Sequence, residues 1–364
     1  MHGLLNRAAR RDAGYRGHFT DAELRDAHGY YAVHHELPAT PLRLLHHWAG
    51  ADGLASLCVK DETARHGVEA FKIMGVRYAV HRLGDELASR GLVCATAGIH
   101  GRAVARVAGS KGLPCTVFVP APRRPTLPDA EERTRSARIA AMRGDGATVV
   151  EVDGGYEEAV RRAADHGAAT GATILSDTAW PGYEEIPRWI MAGYTQVFEE
   201  AYNQWDRPPD VMLVQGGVGG LVCAAANWAA WRYGPDRPRI VACEPEAAAC
   251  LLRSAEAGAP VTIDGPLDTI MAGLRCAEVS PAAWPSIRDG VDGFVAIPDQ
   301  LVIETMQRLA RPAGNDPPIH AGPSGACSTA GLTALLHAPE LKQLRAELGV
   351  GDGAHAFTIV TEGA

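Results

Sequence analysis

The chain has no basic cluster, no paired metal-ligand spacing and no sustained apolar run at its start. Each absence removes a class of function. A formal net charge of −8 without a basic cluster argues against a nucleic-acid partner. The eight cysteines are scattered with no CxxC spacing of the zinc type, and the 14 histidines form no HExxH pair, so no metal site is expected. Those cysteines read as mostly buried and reduced, as in a cytoplasmic protein. The first 20 residues carry arginines but no apolar run, so neither a signal peptide nor a membrane anchor is expected. One stretch imitates a membrane span, because Val211 to Trp231 contains no charged residue. Gln215, Asn227 and four glycines interrupt it, and it reads as a strand followed by a helix in a buried core.

What is present points to a folded protein of some size. With 364 residues and 46% hydrophobic content, the chain is long enough for two domains and too apolar to be disordered. Residues 1–40 are polar and broken, with Tyr30 to His35 as the one candidate docking segment. From about residue 54 strands and helices alternate. Strands are expected at Leu92–Thr96, Cys115–Val119, Ala147–Val152, Thr173–Ser176, Asp210–Val214, Arg239–Cys243 and Ala356–Val360. Helices are expected at about Arg102–Lys111, Glu131–Arg143, Tyr156–His166, Glu184–Gln204, Leu221–Trp231 and Pro245–Ala257, with three more near Gln300–Leu309, Ser324–His337 and Pro339–Leu348. Such alternation is the pattern of parallel sheets covered by helices, an α/β fold.

Two places carry chemistry. Lys72 follows Phe71 and precedes Ile73 and Met74, just after a short strand and a polar turn. An amine in apolar surroundings is partly desolvated, which favours its neutral form and Schiff-base chemistry. An isolated lysine of this kind is otherwise a side chain that snorkels from a helix to water. The second place is Gln215-Gly216-Gly217-Val218-Gly219-Gly220, between an expected strand and helix. Glycines let backbone N–H groups converge on an anion, and the helix adds the positive end of its dipole. The loop lacks the lysine of a P-loop and fits the dinucleotide pattern poorly. A tight packing turn is the plainer alternative.

Six stretches together resemble the fold-type II pyridoxal-phosphate enzymes, and within them the diaminopropionate ammonia-lyase family. They are Lys60-Asp61-Glu62 running to Ala70-Phe71-Lys72, Thr96 to Arg102, Asp177 to Met191, Gln215 to Gly220, Thr269 to Leu274, and Gly322 to Ala326. The resemblance implies a two-domain architecture like the tryptophan synthase β subunit, with pyridoxal 5′-phosphate in the interdomain cleft. It implies a large domain from residues 1–79 and 186–364, and a small domain at 80–185 carrying the substrate loop. By the same resemblance Lys72 forms the Schiff base and later moves the α-proton. Gly216, Gly217, Val218, Gly219 and Gly220 bind the phosphate, and Ser324 binds the pyridine nitrogen. Phe71 and Thr361 lie at the cofactor. Asp177 is a catalytic carboxylate, or else a turn cap. Thr96, Ala97, Gly98, Ile99 and His100 face the substrate.

The chain departs from that family where its turn reads Thr-Asp-Gly-Asn-His. Ala97 stands in place of the aspartate and Ile99 in place of the asparagine, removing a proton acceptor and a hydrogen-bond donor. The implied activity is β-elimination on a β-substituted L-amino acid, giving a 2-oxo acid and ammonia. Without a base at position 97, D-isomers are not expected to react. β-Replacement and a cofactor-binding protein that has lost catalysis are the alternatives. A homodimer is implied, and Cys250 and Cys276 are implied to lie in one loop region, as a reduced pair.

Overall fold

The computed structural model describes residues 1–84, 90–96, 98–121 and 129–364, without the side chains of 129–131. Its strands are β1 (His2–Leu5), β2 (Leu42–Leu44), β3 (Ser56–Asp61), β4 (Leu92–Ala95), β5 (Cys115–Pro120), β6 (Thr148–Val152), β7 (Thr173–Ile174), β8 (Val211–Gln215), β9 (Arg239–Pro245), β10 (Gly293–Ile297) and β11 (His355–Val360). The helices begin with α1 (Asp21–Val33), α2 (His46–Ala51), α3 (Lys72–Leu83), α4 (Ile99–Ser110), α5 (Asp129–Gly144), α6 (Tyr156–Thr170) and α7 (Glu185–Tyr202). They continue with α8 (Gly220–Tyr233), α9 (Cys250–Ala257), α10 (Trp284–Gly290), α11 (Asp299–Ala310), α12 (Pro323–His337) and α13 (Lys342–Leu348).

Two compact units result, one of Met1–Phe71 with Tyr194–Ala364, the other of Lys72–Gly193. The first holds a seven-stranded sheet in the order β1-β10-β9-β8-β11-β3-β2. Its five central strands are parallel, while β1 and β2 close the edges in the antiparallel sense. Strands β8, β10 and β11 are near-continuous apolar runs with almost no exposed residue, as a sheet covered on both faces requires. Helix α12 packs on β8, β9, β10 and β11, and its Ala326, Cys327, Ala330 and Leu335 are fully buried. The second unit holds an all-parallel sheet ordered β6-β5-β4-β7, with Val93, Phe118, Val152, Ala159 and Ala163 among its core.

Several elements differ from the sequence-based expectation. Residues 1–40 contain β1 and α1, and Thr20 and Glu23 form a capping box at the start of α1. Tyr30 and Tyr31 are buried rather than presented for docking. Strand β10 lies in a stretch with no assigned element; Gly293 and Pro298 bound a run too short and too evenly buried for periodicity to mark it. Helix α4 begins at Ile99, so Ile99 and His100 occupy its first turn instead of a loop.

Candidate active site

In parallel sheets the carboxyl ends of the strands are where ligands are bound. In the first unit β8, β11 and β3 are neighbours, and their carboxyl ends lead into Gly216, Thr361 and the segment that closes at Phe71. The glycine loop is tightly built. Gly216 N donates to Cys243 O at 2.8 Å, and Gly219 has φ +94°, a left-handed conformation that suits glycine. A Cβ at Gly216 would lie 2.4 Å from Leu251 Cδ1. The amides of Gly217, Val218, Gly219 and Gly220 donate to no acceptor among the described residues. Uncommitted N–H groups at the amino end of the 14-residue helix α8 form a cradle for an anion such as a phosphate.

Gln215, which sequence reasoning placed in the loop without a role of its own, ties this loop to its neighbours. Its Nε2 lies 3.1 Å from Ser324 O, 3.2 Å from Gly325 O, 3.1 Å from Ile359 O and 2.7 Å from Thr361 Oγ1. The buried amide thus fixes the ends of β8 and β11 and the start of α12 to one another. Ser324 Oγ accepts from Gly273 N at 3.0 Å, and its own proton has no acceptor among the described residues. A hydroxyl with a donor to spare fits an unprotonated pyridine nitrogen. Phe71 N donates to Thr361 O at 3.2 Å, and the Phe71 ring lies 4.8 Å from that of Tyr194. These observations fit a phosphorylated pyridine.

In the second unit β4 and β7 are adjacent, so their carboxyl ends bring Thr96–His100 and Asp177 together. Lys72 Nζ, at the first residue of α3, donates to Asp177 Oδ2. His100 Nδ1 lies 3.7 Å from the same oxygen. The other ring nitrogen, Nε2, donates to Leu175 O at 2.9 Å, and Nδ1 is buried without a hydrogen-bond partner among the described residues. Burial pushes the Asp177 carboxyl upward, but the Lys72 ammonium and His100 outweigh it and hold the group well below the usual carboxylate range. Burial lowers the His100 ring against the pull of Asp177, which keeps it neutral. The loop carrying Asp177 is braced: Tyr183 Oη accepts from Ser176 N at 2.9 Å and donates to Ile174 O at 2.8 Å, and its ring stacks on Trp180. Gly98 N donates to Thr96 Oγ1 at 3.0 Å, which shapes the turn into α4. Ala97 lies outside the described residues.

A separate charged group fills the first unit beneath the start of the Asp61–Phe71 segment. Lys60 Nζ donates to Thr40 O at 2.7 Å, Glu200 Oε2 at 2.9 Å and Gln204 Oε1 at 3.3 Å. Arg65 forks onto Glu62 and Glu200, with bonds of 2.6–2.8 Å. Lys60, Glu62 and Arg65 are fully buried. The two cysteines singled out from the sequence are not in a disulfide, and both adjoin the glycine loop. Cys250 Sγ donates to Gly217 O at 3.4 Å, and Cys276 Sγ lies 3.1 Å from where a Cβ on Gly217 would be. Among the described residues no helix is long and apolar enough to cross a membrane.

The sequence profile of the pyridoxal-phosphate dependent enzymes matches residues 34–346. The chain belongs to this family, with the α/β architecture of its fold-type II members, and it is an enzyme whose cofactor is pyridoxal phosphate. More particularly, it is 34% identical over 368 residues to a diaminopropionate ammonia-lyase of Salmonella typhimurium, covering 92% of this chain and 88% of the relative. A crystal structure of the Escherichia coli diaminopropionate ammonia-lyase, in complex with an aminoacrylate–pyridoxal phosphate azomethine intermediate, matches all of this chain and 93% of that one. The TM-score is 0.87 at 29% identity. A biosynthetic L-threonine dehydratase of Lactococcus lactis is 27% identical over 76% of this chain and 62% of its own length.

Proposed function

We propose that the protein is a lyase that eliminates the β-substituent of a β-substituted L-amino acid, releasing ammonia and a 2-oxo acid, with 2,3-diaminopropionate the first substrate to test. The observation that carries this reading is the Lys72–Asp177 pair, at the carboxyl ends of a parallel sheet, in a chain alike to an ammonia-lyase over nine-tenths of its length. When bound, pyridoxal phosphate supplies an electron sink for negative charge developing at the substrate Cα. Lys72 would hold the cofactor aldehyde and then move the α-proton. The amides of Gly217, Val218, Gly219 and Gly220 would hold its phosphate, while Gly216, whose own amide is spent on Cys243 O, would let the chain turn close to it; Phe71 and Thr361 would lie beside the ring. Ser324 would donate to the ring nitrogen; a hydroxyl there leaves that nitrogen unprotonated, which tempers the sink and favours elimination over transamination. Asp177 faces the lysine amine and would exchange protons with it. Thr96, Gly98, Ile99 and His100 would line the substrate side, on a small domain spanning about residues 80–185.

The reading also takes the protein to be a cytoplasmic homodimer that binds no nucleic acid; light scattering of the purified protein tests the dimer. Its stereochemical part rests on Ala97. Removing an α-proton needs a base on the face to which that proton points, and alanine supplies none. Turnover should therefore be confined to L-isomers. The test is 2-oxo acid release from both enantiomers of a panel of β-substituted alanines. Release from at least one L-isomer is expected, and equal rates on the two enantiomers of any one substrate would contradict the stereochemical assignment.

A further inference from the structure

We propose that His100 is a positioning residue that takes up, at Nδ1 and by way of Asp177, the proton Lys72 must shed before its amine can react. The inference rests on the proposed role of Lys72. An ammonium paired with a carboxylate is neither nucleophile nor base, so its proton needs a destination. In the second unit the acceptors lie in a row. Lys72 Nζ donates to Asp177 Oδ2, and His100 Nδ1 is 3.7 Å behind that oxygen, buried and without a hydrogen-bond partner. Because Nε2 donates to Leu175 O, the neutral ring carries its free lone pair on Nδ1. At 3.7 Å from the neutral ring the oxygen is beyond hydrogen-bond range, and catalytic contacts that are long without ligand often tighten when a site is loaded.

The transfer balances. An N–H bond of Lys72 breaks, one forms at His100 Nδ1, and Asp177 stays anionic between them. Burial is the largest influence on His100 and opposes its protonation, Asp177 favours it, and the Lys72 ammonium opposes it until its proton has left. Once Lys72 is neutral, only the favourable neighbour of that pair remains. Other titratable groups near Asp177 do not compete: burial pushes the Cys94 thiol and the Tyr183 hydroxyl upward, so both stay neutral. On the α5 side the Arg138 guanidinium comes up to Gly98 and adds positive charge, which the Asp177 carboxylate must outweigh.

The test uses apoprotein reconstituted with pyridoxal phosphate, following the appearance of the yellow absorbance across the neutral to alkaline range. His100→Gln keeps a donor for Leu175 O but has no titrating base. Its loading at neutral pH should fall about tenfold, one unit of effective pKa, and meet wild type at high pH where solvent takes the lysine proton. A purely structural role would leave the two profiles superimposed, and that result overturns the inference. On wild-type protein, ring-nitrogen NMR should report His100 neutral without cofactor and protonated with it; a neutral ring in both states overturns it as well. Borohydride reduction separates the two levels. Label absent from Lys72 sinks the underlying role, whereas label on Lys72 with superimposed profiles sinks only this inference.

Discussion

Two charged groups, each with a lysine paired to a carboxylate, sit in the two units, and they differ in completeness. Around Lys60 and Arg65 every buried polar atom has a partner: two cations, two carboxylates and Thr40 close on one another. Around Lys72 the group stops short, because His100 Nδ1 has none. A saturated network fixes geometry and leaves nothing for a ligand to do. An unsaturated one, at strand carboxyl ends and with lysine and carboxylate 23% and 16% exposed, retains a lone pair and a route to solvent. Burial alone would have pointed to Lys60. Unfinished hydrogen bonding points to Lys72.

Breaking each group should therefore do opposite things. Lys72→Ala should lower 2-oxo acid release by roughly 10³-fold or more, by analogy with the loss of other positioned proton-transfer groups. The same change should lower the unfolding free energy in urea by less than the Arg65 change below, because Asp177 can take up a proton once the ammonium is gone. Arg65→Met should do the reverse. It leaves Glu62 and Glu200 facing each other without their main cation, at a cost of about 3–5 kcal/mol in urea unfolding, while the folded fraction still takes up cofactor. A large activity loss without destabilisation in the Arg65 variant would erase the distinction.

A buried acid outside both groups sharpens the contrast. Glu244 Oε1 and Oε2 accept from Leu251 N and Leu252 N at 2.8 and 2.9 Å. Burial nevertheless outweighs these bonds and pushes its carboxyl up to about 8. The folded protein thus holds a proton that the unfolded chain releases near pH 4.3, its ordinary value. This contribution is fully present below about pH 4 and is lost progressively as pH rises toward 8. Glu244→Gln should flatten the stability–pH curve over that window; an unchanged slope would show that another group titrates there.

The strand-to-loop-to-helix passage around Gly216 was legible because local rules write it: an apolar run, then glycines, then an uncharged helix. The parallel sheets were legible for the same reason, since β4, β5 and β6 alternate with helices at regular spacing. Other features depend on distance along the chain. Lys60 meets Glu200 140 residues away and Lys72 meets Asp177 105 residues away, pairings no window of sequence contains. Local chemistry pointed to Lys72 and resemblance added Asp177, whereas their pairing, and the place of His100 behind them, required the fold. Gln215 stood in view as the last residue of β8, but nothing local shows that its amide will meet the ends of two other elements. The Thr20–Glu23 capping box was a readable signal within a segment whose polarity concealed α1.

The chain has four lysines, Lys60, Lys72, Lys111 and Lys342, and this makes the central claim unusually direct to test. Lys111 and Lys342 are exposed, Lys60 is sealed in the saturated network, and Lys72 belongs to the unsaturated one. Borohydride reduction of the purified yellow protein, followed by peptide mapping, asks which of the four holds the cofactor. The account predicts a single phosphopyridoxyl group on the peptide containing Lys72. Label on Lys60, Lys111 or Lys342 in its place would contradict it.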